Sequence, residues 1–150
     1  MTRLELVLRV RSITRDFSNS IFREQDIVDF INEGINRFKQ RIPELNGMLK
    51  LISPAQSVNL LPDEYQELLA IFASSRCYFQ DERSYQATTL MNEFEVKLEE
   101  FQNDVEAGTI IIVDPGTDLP VEVTNNIDYV DNEPYWGVSY DLDDGVEGIE

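Results

Sequence analysis

The sequence has 150 residues, with 29 acidic and 12 basic side chains, a formal net charge of −17, one Cys and no His. A chain of this length forms one domain, with at most a small appendage, and its 42% of hydrophobic residues supply one modest core. The absence of His excludes the usual neutral-pH general base, the Ser-His and Cys-His nucleophile pairs and the commonest zinc ligand. We therefore expect a protein that acts by binding, with no enzymatic activity, no cofactor and no metal.

The compartment follows from the same composition. Cys77 is the only cysteine, so it cannot form a disulfide within the chain, and the first residues lack the basic and apolar stretches of a secretion signal. The apolar runs, such as Thr109 to Val113, are far shorter than the roughly 18 residues of a membrane helix. These features predict a soluble protein that is made and used in a reducing cytoplasm.

The acidic charge is concentrated toward the C-terminus. Residues 1–50 carry a net charge of +2, residues 51–100 carry −6, and residues 101–150 carry −13 without a single Lys or Arg. Such a segment repels phosphate groups, which disfavours conventional DNA binding. It fits either a basic protein partner or a solvated tail that only keeps the protein in solution.

The first predicted helix runs from Thr2 to about Phe17. Its apolar residues recur at helical spacing and form one broad stripe: Leu4, Leu6, Val7, Leu8, Val10, Ile13 and Phe17. The remaining positions include four arginines: Arg3, Arg9, Arg11 and Arg15. We interpret them as a solvated face whose stems cover apolar surface, rather than as a phosphate site, because no aromatic residues are interleaved with them.

The second predicted helix ends before Pro43, which disfavours helical geometry at Ile42. Its apolar stripe is the most regular in the chain: Ile27, Ile31, Ile35, Phe38 and Ile42. Acidic residues crowd its first turns and basic residues its last, which complements the helix dipole. Residues 44–60 lack such periodicity and are predicted to connect two helices, with short strands at Met48 to Ile52 and at Ser57 to Leu60.

Two further helices are predicted between residues 62 and 108. The third begins with Pro62 at its first helical position and has apolar residues on more than one face, so it should be central and buried: Tyr65, Leu68, Leu69, Ile71, Phe72, Tyr78 and Phe79. Cys77 is interpreted as one of its packing residues. Asp81 or Ser84 is the predicted N-cap of the fourth helix. The fourth helix has its own apolar stripe and ends at Gly108: Ala87, Leu90, Met91, Phe94, Leu98, Phe101 and Val105.

The pattern changes after Gly108. Thr109 to Val113 and Val121 to Thr124 are β-branched and apolar and flank turn residues, which predicts a hairpin. Residues 125–150 are acidic and aperiodic, so they cannot fold alone, yet they carry large aromatic residues. We interpret them as an extended arm that docks on a partner through these residues: Tyr129, Tyr135, Trp136, Tyr140, Asp141, Asp143 and Asp144.

Familiar ligand motifs do not match. The acidic stretch from Asp141 to Glu147 lacks the spacing of a calcium loop, and the chain has neither a phosphate-binding P-loop nor a dinucleotide-binding glycine pattern. Pairs of carboxylates one helical turn apart, such as Glu95 with Glu99, are common on any solvated helix. They do not indicate a glycosidase site.

Two stretches resemble a known family. The first is LRVRSITRD at residues 8–16 followed by FREQDIVDFINEG at residues 22–34, and the second is LPDEYQELL at residues 61–69, continuing through Arg76 and Asp81 to MNEF at residues 91–94. Together they are similar, in pattern and order, to the adaptor or head-completion proteins of the head-to-tail connector of tailed bacteriophages. Arg23 departs from that pattern, because the family usually has Ser, Thr or Asp there as a helix cap; Ser18, Asn19 or Ser20 would then cap a longer first turn.

The resemblance implies a structural virion protein of the head-tail neck, assembled in the host bacterial cytoplasm. It implies a homo-oligomeric ring, usually of twelve subunits, between the portal protein and the next connector or tail-completion protein. The C-terminal segment of such proteins commonly reaches the portal, so the seven arm residues become portal-binding candidates. Their acidic character suits a channel for passing DNA, because a like-charged wall avoids tight phosphate contacts.

The expected fold is therefore mainly α, with a small four-helix core over residues 1–108, and a short β-hairpin and an extended acidic C-terminal arm over residues 109–150. Two other classes of function stay open. One is an acidic DNA mimic that inhibits a host nuclease or defence protein; it fits the charge, but a mimic needs carboxylates at fixed spacing on rigid elements. The other is an assembly chaperone.

Overall fold

The computed structural model describes residues 1–114 and 117–122. Its helices are α1 (Arg3–Thr14), α2 (Glu24–Arg41), α3 (Asp63–Gln80) and α4 (Ser84–Glu106), and a short 3-10 helix (Pro43–Leu45) follows α2. Strands β1 (Val113–Asp114) and β2 (Leu119–Pro120) pair antiparallel, with Val113 opposite Pro120. The prediction of a mainly α fold, with four helices and a short hairpin, is confirmed.

Helix α3 lies at the centre of the core, because α1, α2 and α4 all pack against it. Its small residues let the neighbouring helices approach closely: Ser75 Oγ donates to the carbonyl of Ala87 in α4 at 2.7 Å. On the α2 side, Gly34 lies against the ring of Phe72, at a distance where a Cβ would already be tight. The predicted central position of the third helix is confirmed.

Aromatic rings join α2, α3 and α4. Phe38 of α2 contacts Phe94 of α4 edge to face, with ring centroids 5.7 Å apart. Phe94 in turn lies 5.0 Å from Phe72 of α3. About two helical turns away, the ring of Tyr65 in α3 stacks on Phe101 of α4, with ring centroids 4.3 Å apart. Such ring pairs add about 0.5–1.5 kcal/mol each beyond the area they bury, so this cluster holds three helices in one register.

Three helices end in the same left-handed turn. Arg15, Glu82 and Gly108 have φ values of 60°, 60° and 80° at the ends of α1, α3 and α4. In each case the N–H of the left-handed residue and the N–H of the residue after it donate to carbonyls of the last helical turn, as when the N–H of Thr109 donates to the carbonyl of Asp104 at 2.9 Å. The predicted end at Gly108 is confirmed. The first helix is shorter than predicted because the turn at Arg15 ends it at Thr14.

The predicted caps at three helix starts are wrong. Pro62 is the N-cap of α3 rather than its first helical residue. Arg83 is the N-cap of α4, and Asp81 pairs with its guanidinium at 2.9 Å instead of capping the helix. Helix α2 begins directly after Arg23, whose guanidinium reaches forward to the carboxylate of Asp26. The serines and asparagine before Arg23 therefore do not cap a longer first turn.

Residues 47–52 do not form the predicted strand. Instead, three amide side chains each accept from one N–H and donate to one carbonyl of this segment. Asn32 accepts from the N–H of Leu51 at 2.8 Å and donates to the carbonyl of Leu51 at 3.1 Å. Gln56 and Asn59 bond other residues of the segment in the same way. These amides satisfy the backbone groups that a paired strand would have satisfied. The predicted strand from Ser57 to Leu60 is reduced to one bridge, between Ser57 and Thr2.

Most predicted core positions are buried, but four apolar residues are not: Leu4 (49% exposed), Leu8 (57%), Phe17 (73%) and Phe79 (45%). Phe17 lies beyond the end of α1, so the helical stripe no longer carries it into the core. Cys77 is fully buried, and burial raises the pKa of its thiol to about 12. The interpretation of Cys77 as a packing residue is confirmed.

We expect Phe72→Ala to lower the free energy of unfolding by about 3–5 kcal/mol, because Phe72 is 3% exposed and its removal leaves a cavity between α3 and α4. Chemical denaturation followed by circular dichroism measures this loss. Phe17→Ala is the matched control and should change stability by less than about 0.5 kcal/mol. Equal losses for both variants would contradict the central position of α3.

Candidate interaction surfaces

The predicted partner-binding residues lie outside the described residues: Tyr129, Tyr135, Trp136, Tyr140, Asp141, Asp143 and Asp144. What the structure describes is the point at which the C-terminal segment leaves the core. Ile112 is 3% exposed and belongs to the hydrophobic core, and its carbonyl accepts from the N–H of Val121 at 2.8 Å. Its neighbours Ile111 and Val113 are exposed. The hairpin is therefore held to the core by the buried side chain of Ile112 and by the partly buried side chains of Ile110 and Val121.

The connection between α1 and α2 is built around a buried carboxylate. Asp16 is 1% exposed, and its two oxygens accept from the N–H groups of Ser20, Ile21 and Phe22 at 3.0 to 3.2 Å. The guanidinium of Arg11 donates to the same carboxylate at 2.7 Å and to the carbonyl of Phe22 at 3.0 Å. These bonds close the chain around one charge pair and set where α2 begins.

The ionised form of Asp16 is favoured in the folded protein. Burial alone would raise the pKa of this carboxyl, but the N–H donors of Phe22, Ile21 and Ser20 and the charge of Arg11 outweigh it, so the net pKa lies below the ordinary 3.8. The carboxylate consequently stabilises the fold only while it is ionised. Because the Asp16 carboxylate accepts from four donors within the protein, we interpret it as a structural group.

The interpretation of all four arginines as a solvated face is wrong for Arg11, which is 7% exposed, and for Arg3, whose side chain is 14% exposed. Arg9 and Arg15 are exposed as predicted, and Arg9 pairs with Glu67 of α3 at 2.8 Å. The sequence feature that could have predicted a buried Arg11 is the acid five residues later, followed by a Ser-Asn-Ser turn. Because this spacing crosses the end of a helix, helical periodicity alone does not reveal the pair.

A second ionic cluster ties α2 to α4. Glu95 of α4 accepts from Arg37 at 2.5 Å and from Arg41 at 3.0 Å. The guanidinium of Arg41 also donates two hydrogen bonds to the side chain of Gln102, about two turns further along α4. Because these groups are partly exposed, each pair contributes at most about 1 kcal/mol. Their main effect is to fix which side of α4 turns toward α2.

An open groove between α3 and α4 is lined by acids. Glu64, Glu67, Glu93 and Glu100 surround it, with Lys97 as the basic residue among its lining. Burial and then the negative charges of Glu64, Asp104 and Glu100 raise the pKa of Tyr65 at one end of the groove. The groove therefore has a negative potential on helices of fixed geometry, which the sequence analysis had assigned mainly to the C-terminal segment.

The outward faces of α1 and α4 both expose apolar side chains. We define the α1 face by Leu4, Leu8 and Ser12. We define the α4 face by the row of residues along its outer side, in which Glu99 is the one charged member: Tyr85, Thr89, Asn92, Val96, Glu99 and Asn103. Leu8 and Val96 are each 57% exposed and Tyr85 is 81% exposed. Exposed apolar residues that line up along one helix are typical of surfaces that meet another protein.

Among residues 1–114 and 117–122, no three His, Cys, Asp or Glu side chains come close enough to hold a metal ion. No helix in this part of the chain combines the length and apolarity that crossing a membrane requires. Comparison with protein-family models, with curated proteins and with solved structures finds no match to the chain. The geometry of the surfaces above therefore carries the functional argument.

We expect Asp16→Asn to lower the free energy of unfolding by about 3 kcal/mol, because the guanidinium of Arg11 then stays buried without its counter-charge. Urea denaturation at neutral pH measures the loss. Asp29→Asn is the matched control, since Asp29 is exposed on α2 and its change should be nearly neutral. A loss no larger than that of the control would show that the buried pair does not hold the connection.

The contribution of Asp16 should also depend on pH. Because its native pKa lies below the unfolded value of 3.8, the contribution is complete above that pH and is lost as the pH falls through the native value. The difference in unfolding free energy between the wild type and Asp16→Asn should narrow steadily as the pH falls below 3.8. A difference that stays constant down to about pH 2 would contradict the lowered pKa.

Proposed function

We propose that this protein is an adaptor subunit of the head-to-tail connector of a tailed bacteriophage. It would assemble as a ring, of twelve subunits by the family resemblance, between the portal protein and the next connector or tail component, and form part of the channel for DNA. The mature site of action would be the neck of the virion, reached after assembly in the bacterial cytoplasm. No catalytic step is part of this function.

The observation that carries the proposal is the division of the chain at the hairpin. The two stretches that resemble the family fall within the four-helix core, and the hairpin that follows α4 and precedes the acidic C-terminal segment has exposed strands. A ring subunit that must latch onto another ring needs this separation. The core can keep its contacts within the ring while the following segment reaches a second protein.

The C-terminal segment would bind the portal. Residues 125–150 span at most about 85 Å when extended, which is enough to cross a neighbouring subunit. The aromatic residues, above all Trp136 and Tyr140, would be the apolar anchors, because such rings bury a large area at low cost in side-chain entropy. The acidic residues between them would meet a basic rim and set orientation and encounter rate.

The electrostatics also suit a channel component. The protein carries a formal net charge of −17, and the groove between α3 and α4 is lined by glutamates. A wall of this sign does not form the phosphate contacts that would retard moving DNA. DNA would then pass without specific binding.

One observation keeps the DNA-mimic function as a second candidate. A DNA mimic needs carboxylates at fixed spacing on rigid elements. Helices α3 and α4 place four such groups around one groove: Glu64, Glu67, Glu93 and Glu100. A mimic would use this groove to occupy the DNA site of a basic nuclease. Inhibition of a nuclease that is lost in a Glu93→Gln, Glu100→Gln variant would favour the mimic over the connector.

We expect that truncation after Thr124 weakens binding to the cognate portal ring by at least about 30-fold, since the anchoring aromatic residues are then absent. A Trp136→Ala, Tyr140→Ala variant should lose most of the same affinity. An Asp141→Asn, Asp143→Asn, Asp144→Asn variant should lose less and show a weaker dependence on salt.

Surface-immobilised portal rings at low and high salt measure these affinities, and circular dichroism checks that each variant is folded. The proposal for the segment is wrong if the truncated protein is folded and binds the portal as well as the full chain. Electron microscopy of the full chain mixed with portal-containing, DNA-filled capsids tests the location directly. Density at the portal vertex is the expected result.

A further inference from the structure

We infer that the α1 face of one copy of this chain packs against the α4 face of the next copy. This inference rests on the proposed ring and specifies which surfaces form it. The faces keep the definitions given above, with Leu4, Leu8 and Ser12 on α1 and the outer row of α4 on the other side. The occupant of each face is thus a second copy of the protein.

The two faces point in opposite directions. Helix α3 contacts α1 through Tyr78, which donates to the carbonyl of Ile13, and contacts the start of the chain just before α1 through Gln66, which accepts from the amino group of Met1. It contacts α4 through Tyr65, Phe72 and Ser75. On a helix of 3.6 residues per turn these two sets lie on opposite sides of α3, so α1 and α4 flank it. Their outward faces therefore sit at opposite edges of the subunit.

Opposite placement of two different faces is what a ring requires. A head-to-tail contact joins surface A of one copy to surface B of the next and closes into a ring when the rotation per subunit permits. A two-fold dimer would instead need one face that is complementary to itself. The α1 and α4 faces differ in sequence and in charge, which favours the head-to-tail contact.

The faces complement each other in apolar content. Leu4 and Leu8 lie one turn apart on α1, and both are about half exposed (49% and 57%). On α4, Tyr85 and Val96 supply matching apolar area within a row whose one charged member is Glu99.

The faces also complement each other in charge. On α1, the guanidinium groups of Arg3, Arg9 and Arg11 pair with acids of the same subunit. Arg15 at the end of α1 is exposed and has no ion-pair partner in the described part of the chain. Helix α4 has a net charge of −5, with Glu99 in its outer row and Glu93 and Glu100 beside that row. Arg15 of one copy would therefore attract these acids of the next copy, whereas two α4 faces would repel each other.

The test uses the full chain without portal, measured by sedimentation velocity from micromolar to millimolar concentration. We expect the wild type to form dimers and larger species as the concentration rises. Leu8→Glu and Val96→Glu should each weaken this association by at least about 10-fold, because each places an unpaired carboxylate within an apolar contact. Leu49→Glu is the matched control, since Leu49 is 61% exposed and belongs to neither α1 nor α4, and it should associate like the wild type.

A mixture of the two variants distinguishes the geometry. Leu8→Glu keeps an intact α4 face and Val96→Glu keeps an intact α1 face, so an equimolar mixture should form dimers that cannot grow further. A wild type that stays monomeric to millimolar concentration overturns the inference, as does association that responds equally to Leu8→Glu and Leu49→Glu, or a mixture that forms no dimers. These outcomes concern contacts between copies, whereas portal binding tests the proposed function separately.

Discussion

Burial of α3 on three sides is the constraint from which the rest of the structure follows. A helix whose small residues Ala70, Ala73 and Ser75 face its neighbours accepts close packing, so three other helices can surround it at short distance. The aromatic cluster and the Arg37, Arg41 and Glu95 cluster then fix α2 and α4 in register. Each outer helix keeps one face in water, and those faces are where another protein can bind.

Regular helical stripes made much of this fold predictable. The isoleucines of α2 and the phenylalanines of α4 repeat every three or four residues, and helical geometry turns that spacing into a buried face without reference to the rest of the chain. The helix end at Gly108 could also be predicted from the local sequence, because glycine adopts the left-handed conformation readily. For the same reason the helix count and the central position of α3 could be predicted from sequence.

What could not be predicted depends on residues that meet only in the folded chain. Arg11 is buried because Asp16 and the loop after it enclose its guanidinium, and nothing in the spacing of α1 shows that enclosure. Asn32 replaces a strand partner for Leu51, nineteen residues away, which no local pattern predicts. Leu8 has the same character as Leu6, and only the position of α3 decides that one is covered and the other exposed.

The attachment of the hairpin has a mechanical consequence. Among residues 109–114 and 117–122, Ile112 is deeply buried, Ile110 and Val121 are partly buried against the core, and two short strands pair between them. A pull applied beyond Glu122 would reach Val121 and the strand bonds first and Ile112 next, before any contact between helices. The hairpin therefore acts as a weak link in series with a stiff core. Tension on the segment would extend this link while the four helices keep their packing, so a strained tether need not deform the body to which it is attached.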